Sequence, residues 1–128
     1  MTYLLAEEML AIHDRIVEAI GGLKGVRDIG LLCSLAERPK MAMMGKEFYP
    51  DIFTKAAAYL EGIATYHVFA DGNKRTAFAV THYFLRVNGF KLTVSTKTAY
   101  SFIMSVATKK KSIEEIATWL KKHSKKLK

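Results

Sequence analysis

The sequence predicts an all-α fold, a compact bundle of about six helices that forms a single domain over residues 1–128. Three observations support this prediction. Apolar residues recur at spacings of three and four along most of the chain, which is the period of an amphipathic helix. Gly and Pro interrupt the pattern at short intervals, as expected for short connections between helices. Half of the residues are hydrophobic and a quarter are charged, an ordinary globular composition.

The first part of the chain is expected to form two helices. The first has an apolar stripe made of Leu5, Met9, Ile12, Ile16 and Ile20. Gly21-Gly22 ends this helix, and Asp28 is placed to cap a second one that runs toward Glu37. Pro39 stops that helix, because proline cannot continue it.

Residues 40–49 lack a helical stripe, and Gly45 lies near their middle. They are interpreted as a loop or a small β-hairpin. The pattern alone favours a connector whose methionines pack on the core. The alternative is an edge that holds a substrate segment by strand addition.

Two central helices follow. Pro50 suits the first turn of one, which ends near Tyr66. Its buried stripe consists of Ile52, Ala56, Tyr59, Leu60 and Ile63. The next helix runs from Asn73 to Asn88 and is stopped by Gly89. One of its faces carries Ala77, Val80, Phe84 and Val87.

The remaining elements are predicted from local signals. Residues 90–94 are briefly extended, and Ser95 or Thr96 opens another helix. Ser112 and Glu115 form a capping box at the start of the last one.

The net charge of +8 is concentrated at one end of the chain. Residues 109–128 contain eight lysines and two glutamates, which give +6, and we interpret them as a lysine-rich, solvated C-terminal helix and tail. A basic protein can bind nucleic acid, and such a module is one alternative function. Trp119 is the one aromatic residue among these lysines, so a base-stacking surface is not apparent and no direct nucleic-acid binding is expected.

Two other classes of protein are not indicated. The chain lacks an apolar run of roughly 20 residues, the length of a membrane span, so no membrane partner is expected. Glu7 and Glu8 argue against a signal peptide. Cys33 is the single cysteine, which excludes an internal disulfide and favours a reducing cytoplasm.

The best candidate site is the segment from His67 to Arg75, which joins the two central helices. A helix N-terminus attracts anions through its free N–H groups and its dipole, and Gly72 allows a close backbone approach. Lys74 and Arg75 oppose the dipole of the helix that they begin. That placement makes sense if an anion such as a polyphosphate binds there.

The same segment contains two further groups for phosphoryl or nucleotidyl transfer. Asp71 offers a hard oxygen ligand for Mg²⁺, and His67 can accept a proton near neutral pH. Phe69 is expected to anchor the loop to the core. Taken singly, Asp71 or Asn73 could simply cap the helix, and His67 could be an ordinary histidine at a helix end.

The remaining histidines are assigned no site and are expected in packing or surface positions: His13, His82 and His123.

Residues 67–75, His-Val-Phe-Ala-Asp-Gly-Asn-Lys-Arg, closely resemble the Fic/Doc family signature His-x-Phe-x-Asp/Glu-Gly/Ala-Asn-x-Arg and match it at every fixed position. The similarity continues into Thr76-Ala77. Gly-Gly-Leu-x-Gly at residues 21–25, with Asp28, resembles the Doc branch, whose members are toxins of toxin–antitoxin pairs.

The resemblance implies a chemistry and a role for each position. Family members with glycine between the Asn and Arg of the motif transfer AMP, whereas Doc-type members have lysine there, like Lys74, and transfer the γ-phosphate. By this resemblance His67 is the general base toward a Ser or Thr hydroxyl, and Asp71 helps to hold Mg²⁺. The ATP phosphates are bound by Gly72, Asn73, Lys74 and Arg75. The implied substrate is a translation factor, elongation factor Tu, and an AMP transferase is the runner-up.

Two regulatory features are also implied. In the family, the segment before the central helix is a flap that aligns the target peptide, which favours a flap at residues 40–49. Self-restraining members carry Ser/Thr-x-x-x-Glu-Gly/Asn, but here Glu61 is preceded at that spacing by Ala57. Restraint is therefore expected from a cognate antitoxin that binds a groove on the toxin, and the positive charge would suit an acidic partner segment.

Overall fold

The computed structural model describes residues 1–108 and 111–127, and in them it confirms the predicted helical bundle. The helices are α1 (Ala6–Ile20), α2 (Ile29–Glu37), α3 (Ile52–Thr65), α4 (Asn73–Val87), α5 (Thr96–Ala107) and α6 (Ile113–Lys122). A 3₁₀ turn, Arg38–Lys40, follows α2. The strands are β1 (Ala42–Met43), β2 (Lys46–Glu47), β3 (Phe90–Leu92) and β4 (Ser124–Lys126). Lys109, Lys110 and Lys128, which belong to the predicted lysine-rich end, lie outside the described residues.

Helix α3 is the centre of the bundle. It packs most extensively against α4 and α6 and also contacts α2 and α5. Residues 55–60 and 62–65 are all buried, so the helix is enclosed on nearly every side. The consecutive small residues Ala56, Ala57 and Ala58 let its neighbours approach closely. Helix α4 starts next to this core, which fixes the position of its N-terminus.

The buried face of α1 differs from the predicted stripe. Met9, His13 and Val17, at intervals of four residues, face the core. Leu5 and Ile20, the two ends of the predicted stripe, are more than half exposed. The predicted stripe is confirmed at Met9 and at the partly buried Ile12 but is wrong at its two ends, because the buried line contains a histidine that apolar spacing does not reveal.

Local capping signals were more reliable. Asp28 caps α2, and its carboxylate accepts a hydrogen bond from the N–H of Leu31 at 3.0 Å. Pro50, however, is not in the first turn of α3. Asp51 is the N-cap of that helix, and its carboxylate accepts two N–H groups at 2.9 Å, so the helix begins at Ile52, two residues after Pro50.

The second half of the chain follows the predicted order of elements. The extended segment after α4 is confirmed as β3, Ser95 caps α5, and Ser112 with Glu115 forms the capping box of α6. Val87 is an exception to the predicted buried face of α4, because it lies at the end of the helix and is 39% exposed.

Strand β4 was not predicted. It pairs antiparallel with β3, and Lys91 lies opposite Lys125 in the register. The lysine-rich end is therefore partly a strand, and not only a helix and a solvated tail. Lysine has low β propensity, so this pairing depends on the neighbouring strand and on the packing around it.

Residues 40–49 contain a β-hairpin, one of the two predicted forms. Strands β1 and β2 pair antiparallel, and the turn residues Met44 and Gly45 both have positive φ. From below, Lys55 of α3, only 2% exposed, donates to Glu47 at 2.7 Å and to the carbonyl of Pro39 at 3.1 Å. Burial lowers the pKa of Lys55, but hydrogen bonding to Glu47 and Tyr3 outweighs it and the pKa is raised. The hairpin is thus held at its base by a buried cation.

Within residues 1–108 and 111–127, no helix combines the length and the apolarity needed to cross a membrane.

Tyr59, fully buried on α3, gives a pH-dependent prediction. Its hydroxyl accepts the N–H of Leu4 at 3.1 Å, and burial raises its pKa to about 12. An unfolded tyrosine ionises near pH 10. Between these values the unfolded state loses a proton that the folded state keeps, so stability falls as pH rises. Tyr59→Phe should cost about 1 kcal/mol at pH 9 through the lost acceptor.

The free energy of unfolding should be measured in urea at pH 9 and pH 11.5 for both proteins. The gap between the wild type and Tyr59→Phe should shrink, or reverse, by up to about 2 kcal/mol over this range. A gap independent of pH would contradict the buried, neutral tyrosine.

Candidate active site

The connection between α3 and α4 is closed by the side chain of Asn73. Its Nδ2 donates to the carbonyl of Phe69 at 3.0 Å, and its Oδ1 accepts the N–H of Phe69 at 3.0 Å. Val68 and Phe69 are buried, whereas His67 and Asp71 are exposed. The loop is therefore attached to the core through its middle and presents polar side chains on either side.

The N-terminus of α4 is left open. Gly72, in the left-handed conformation with φ 75°, is the N-cap, and within the described residues no side chain caps the helix. Asp71 accepts the N–H of Gly72 at 2.9 Å, outside the helix. The alternative in which Asp71 or Asn73 caps α4 is therefore wrong, and the first N–H groups of the helix can reach a ligand.

The predicted polar residues lie together. One cavity of about 350 Å³ is lined by His67, Ala70, Asp71, Gly72, Asn73, Lys74 and Arg75. Phe69 does not line it, because its ring is buried beneath the loop, as expected of an anchor. Among the described residues, neither Lys74 nor Arg75 pairs with a carboxylate. Arg75 lies over the ring of Tyr100, 5.7 Å from its centroid. Two cations and a helix N-terminus thus face one space, which suits a polyphosphate.

The connection between α1 and α2 supports the loop from behind. The N–H of Arg27 donates to the carbonyl of Val68 at 2.8 Å, and the N–H of Ala70 donates to the carbonyl of Gly25 at 3.2 Å. These backbone bonds make the α1–α2 connection a second layer under the site.

One glycine of that connection, Gly22, is required for a steric reason. A Cβ added to Gly22 would lie 3.0 Å from Oδ2 of Asp71, and Gly22 has a φ of 126°. The N–H of Leu23 also approaches this oxygen, at 3.4 Å. A side chain at Gly22 would displace the Asp71 carboxylate, so this glycine of the Gly-Gly-Leu-x-Gly pattern is part of the site.

His13, for which the sequence predicts no functional role, contacts the loop directly. It is fully buried, and its Nε2 is 2.8 Å from the carbonyl oxygen of Asp71. Its ring stacks on Phe69 with centroids 4.0 Å apart and planes 8° apart. Its Nδ1 is 3.1 Å from Oδ1 of Asp14. The only available signal was a histidine four residues from both Met9 and Val17, which indicates burial but not a contact 58 residues away.

A metal ion at this site would depend on Asp71. Each of its oxygens meets one backbone N–H, which leaves lone pairs free on an exposed carboxylate. In the part of the chain that the structure describes, no three His, Cys, Asp or Glu side chains are grouped to hold a metal by themselves. One carboxylate supplemented by phosphate oxygens is a common arrangement for Mg²⁺, so these residues fit a nucleotide-bound ion.

Comparison with known proteins identifies a family for this sequence. The family model described as the Fic/DOC family matches residues 3–85. This range includes His13, the hairpin and residues 66–72 between α3 and α4, which we call the cavity loop. The chain belongs to the Fic/Doc family.

Two curated proteins are similar over most of their length. One is named Toxin Doc, from Mycolicibacterium smegmatis, and is 39% identical over 104 residues, 80% of each chain. The other is named Protein kinase doc, from Escherichia phage P1, and is 34% identical over 122 residues, 95% of each chain.

The closure of the loop by Asn73 can be tested by substitution. Asn73→Ala removes both hydrogen bonds to Phe69 and should lower the free energy of unfolding by about 1 to 3 kcal/mol. Amide exchange at Phe69 should become faster. Asn73→Asp is the matched control, since it keeps the acceptor for the Phe69 N–H but loses the donor, and its effect on Phe69 exchange should be smaller. Equal protection in all three proteins would show that the loop is held by other contacts.

Proposed function

We propose that this protein is the toxin of a toxin–antitoxin pair and acts as a protein kinase. It transfers the γ-phosphate of ATP to a Ser or Thr hydroxyl of a translation factor, elongation factor Tu by family resemblance, and so arrests translation in the cytoplasm. The observation that carries the proposal is Lys74, which lines the cavity between Asn73 and Arg75. The names of the two relatives, Toxin Doc and Protein kinase doc, support it.

In this proposal each polar side chain of the cavity has a defined role in the transfer. The ring of His67, exposed in the cavity, takes the proton of the target hydroxyl as its oxygen bonds to the γ-phosphorus. The bond from that phosphorus to the bridging oxygen breaks, and ADP leaves with the bond's electron pair. Lys74, Arg75 and the N–H groups of the α4 N-terminus bind the phosphates and stabilise the charge that develops. Mg²⁺, held by Asp71 and the phosphates, would neutralise further charge.

Lys74 supports transfer of the γ-phosphate over transfer of AMP. In the family, AMP transferases have glycine at this position, where a lysine side chain occupies space and adds a positive charge. Both effects change how a triphosphate can lie against the helix N-terminus. The AMP transferase is the alternative, and this residue separates the two.

The hairpin supports a protein substrate aligned by a flap. Its edges are exposed, and Met44 at the tip is 99% exposed with a φ of 52°. Asn or Gly is favoured in such a turn, so an exposed methionine there has a conformational disadvantage. Methionine is an adaptable apolar contact for a partner. Contact with the substrate protein would explain why a methionine occupies this turn position.

Restraint by a separate antitoxin is supported by the position of Glu61. This glutamate pairs with Arg38 at 2.7 Å, and Arg38 also donates to the hydroxyl of Tyr49 at 2.9 Å. The carboxylate is thus engaged in a structural ion pair between α3 and the 3₁₀ turn. An acidic antitoxin segment would complement the net charge of +8.

The two reactions differ in which phosphate of ATP is transferred to the substrate. Purified protein is incubated with elongation factor Tu, Mg²⁺ and ATP labelled at either the α or the γ phosphate. Label from the γ position alone should appear on the substrate. Label from the α position on the substrate would replace the kinase with an AMP transferase.

Substitutions in the cavity test the assigned roles. His67→Ala should reduce γ-phosphate transfer by about 10²- to 10⁴-fold, because the general base is lost. Lys74→Gly should also reduce it and should allow some label from the α position to transfer. Lys91→Ala, an exposed lysine on β3, is the control and should keep wild-type activity. Full toxicity of His67→Ala in cells would refute the base assignment.

The tip of the hairpin gives a test of substrate contact. Met44→Asn should raise the stability of the protein by about 1 kcal/mol, because asparagine tolerates positive φ better. The same change should increase KM for the protein substrate and leave KM for ATP unchanged. An unchanged KM for the protein would remove Met44 from the proposed contact surface.

A further inference from the structure

The contact between α1 and the cavity loop assigns a further residue to the site. His13 is the one buried polar side chain in the inward line of α1, between Met9 and Val17. Its Nε2 meets the backbone carbonyl of Asp71, a residue 58 positions later in the chain. A carbonyl oxygen only accepts hydrogen bonds, so Nε2 carries a proton and donates it.

We propose that His13 is a positioning residue of the phosphotransfer site, one that fixes the segment from Phe69 to Gly72 against α1. This inference rests on the proposed function for its catalytic consequence. Its two contacts act on different parts of the loop. The ring stacks on Phe69, which orients the loop from below, and the Nε2 hydrogen bond holds Asp71 just before α4 begins.

Holding the carbonyl of Asp71 also constrains its side chain. With the carbonyl directed at α1, the carboxylate lies on the cavity side, where it accepts the N–H groups of Gly72 and Leu23. Gly72 lies directly over the same part of α1. A Cβ at Gly72 would be 3.6 Å from Val17 and 3.9 Å from His13. The turn into α4 is therefore seated on His13, and a shift of His13 would move both Asp71 and the helix N-terminus.

An apolar residue would fill the space between Met9 and Val17 but could not hold the loop. Aliphatic packing would leave the Asp71 carbonyl without its donor and remove the flat surface under Phe69. The histidine supplies both, which distinguishes a positioning role from simple core packing.

Three substitutions separate the two contacts. His13→Gln keeps an amide N–H that can reach the position of Nε2. His13→Asn has the same amide on a side chain one methylene shorter, so its N–H does not reach that position. His13→Phe keeps the stacking ring and loses the donor. Met9→Ala, one turn away on the same buried line, is the matched control, since it opens the core without altering a hydrogen bond to the loop.

Two readouts are needed. The first is kcat and KM for γ-phosphate transfer, measured well below the unfolding temperature of each variant. The second is the backbone amide spectrum of residues 70–74, which does not depend on activity. His13→Phe and His13→Asn should lower kcat by about 10- to 100-fold, as expected for a displaced reacting geometry. His13→Gln should recover part of this loss.

Amide signals of residues 70–74 should move in His13→Phe and His13→Asn, and less in His13→Gln. Met9→Ala should keep kcat within about twofold of wild type and leave these signals in place, because it does not alter the reacting geometry. The inference would be overturned if His13→Asn and His13→Phe kept the wild-type kcat. It would also be overturned if Met9→Ala lost as much kcat as the His13 variants for the same loss of stability. If the wild type itself transfers no γ-label, the proposed function fails. The amide spectra then decide the positioning role by themselves, and unchanged signals in all His13 variants would overturn it.

Discussion

The site depends on one constraint: the N-terminus of α4 has to stay uncapped and yet be held firmly in place. Most helices use a side chain at the N-cap for both purposes. Here Gly72 occupies that position, and residues elsewhere around the loop hold the helix N-terminus in place. Asn73 closes the loop onto Phe69, and His13 holds Asp71 from below. The free N–H groups and two cations are thereby left facing the cavity.

The division between rigid and accessible parts follows from this arrangement. The loop has backbone bonds to the α1–α2 connection behind it and an aromatic stack beneath it. Among the described residues, the side-chain bonds that fix the hairpin lie near its base, where Lys55 binds Glu47 and Arg38 binds Tyr49. Its tip is exposed and contributes little to the core. Phosphate chemistry benefits from fixed charges, whereas a surface that receives another protein benefits from adaptability.

Much of the site could be predicted from the sequence because its polar groups lie in nine consecutive residues. A helix N-terminus with two cations against its dipole is a local signal, and the structure places His67, Asp71, Lys74 and Arg75 around one cavity. Capping residues such as Asp28 and Ser112 were likewise predictable, since a cap acts over three residues. Contacts between distant segments left no comparable signal.

The start of α3 was a local error, but the two larger missed features, His13 and strand β4, depend on contacts between distant segments. His13 reaches Asp71 across 58 positions, and its polar side chain interrupted the apolar stripe expected for α1. Strand β4 has a lysine-rich sequence with low β propensity and exists because β3 lies beside it. Pairing of this sort is a property of the assembled fold and cannot be inferred from the residues of one strand.

The hairpin tip has a chemical consequence of its own. Three of the six methionines lie at positions 41, 43 and 44, all of them solvent-exposed, whereas Met9 is fully enclosed. Thioethers react with peroxide according to their exposure, and the sulfoxide product is polar and bulkier. Met1 and Met104 are exposed as well. Mild oxidation would therefore modify the hairpin and these two residues while sparing Met9 and the methionine-free cavity loop. Peroxide could thus alter the surface of the hairpin without a mutation and without changing the phosphate-binding groups.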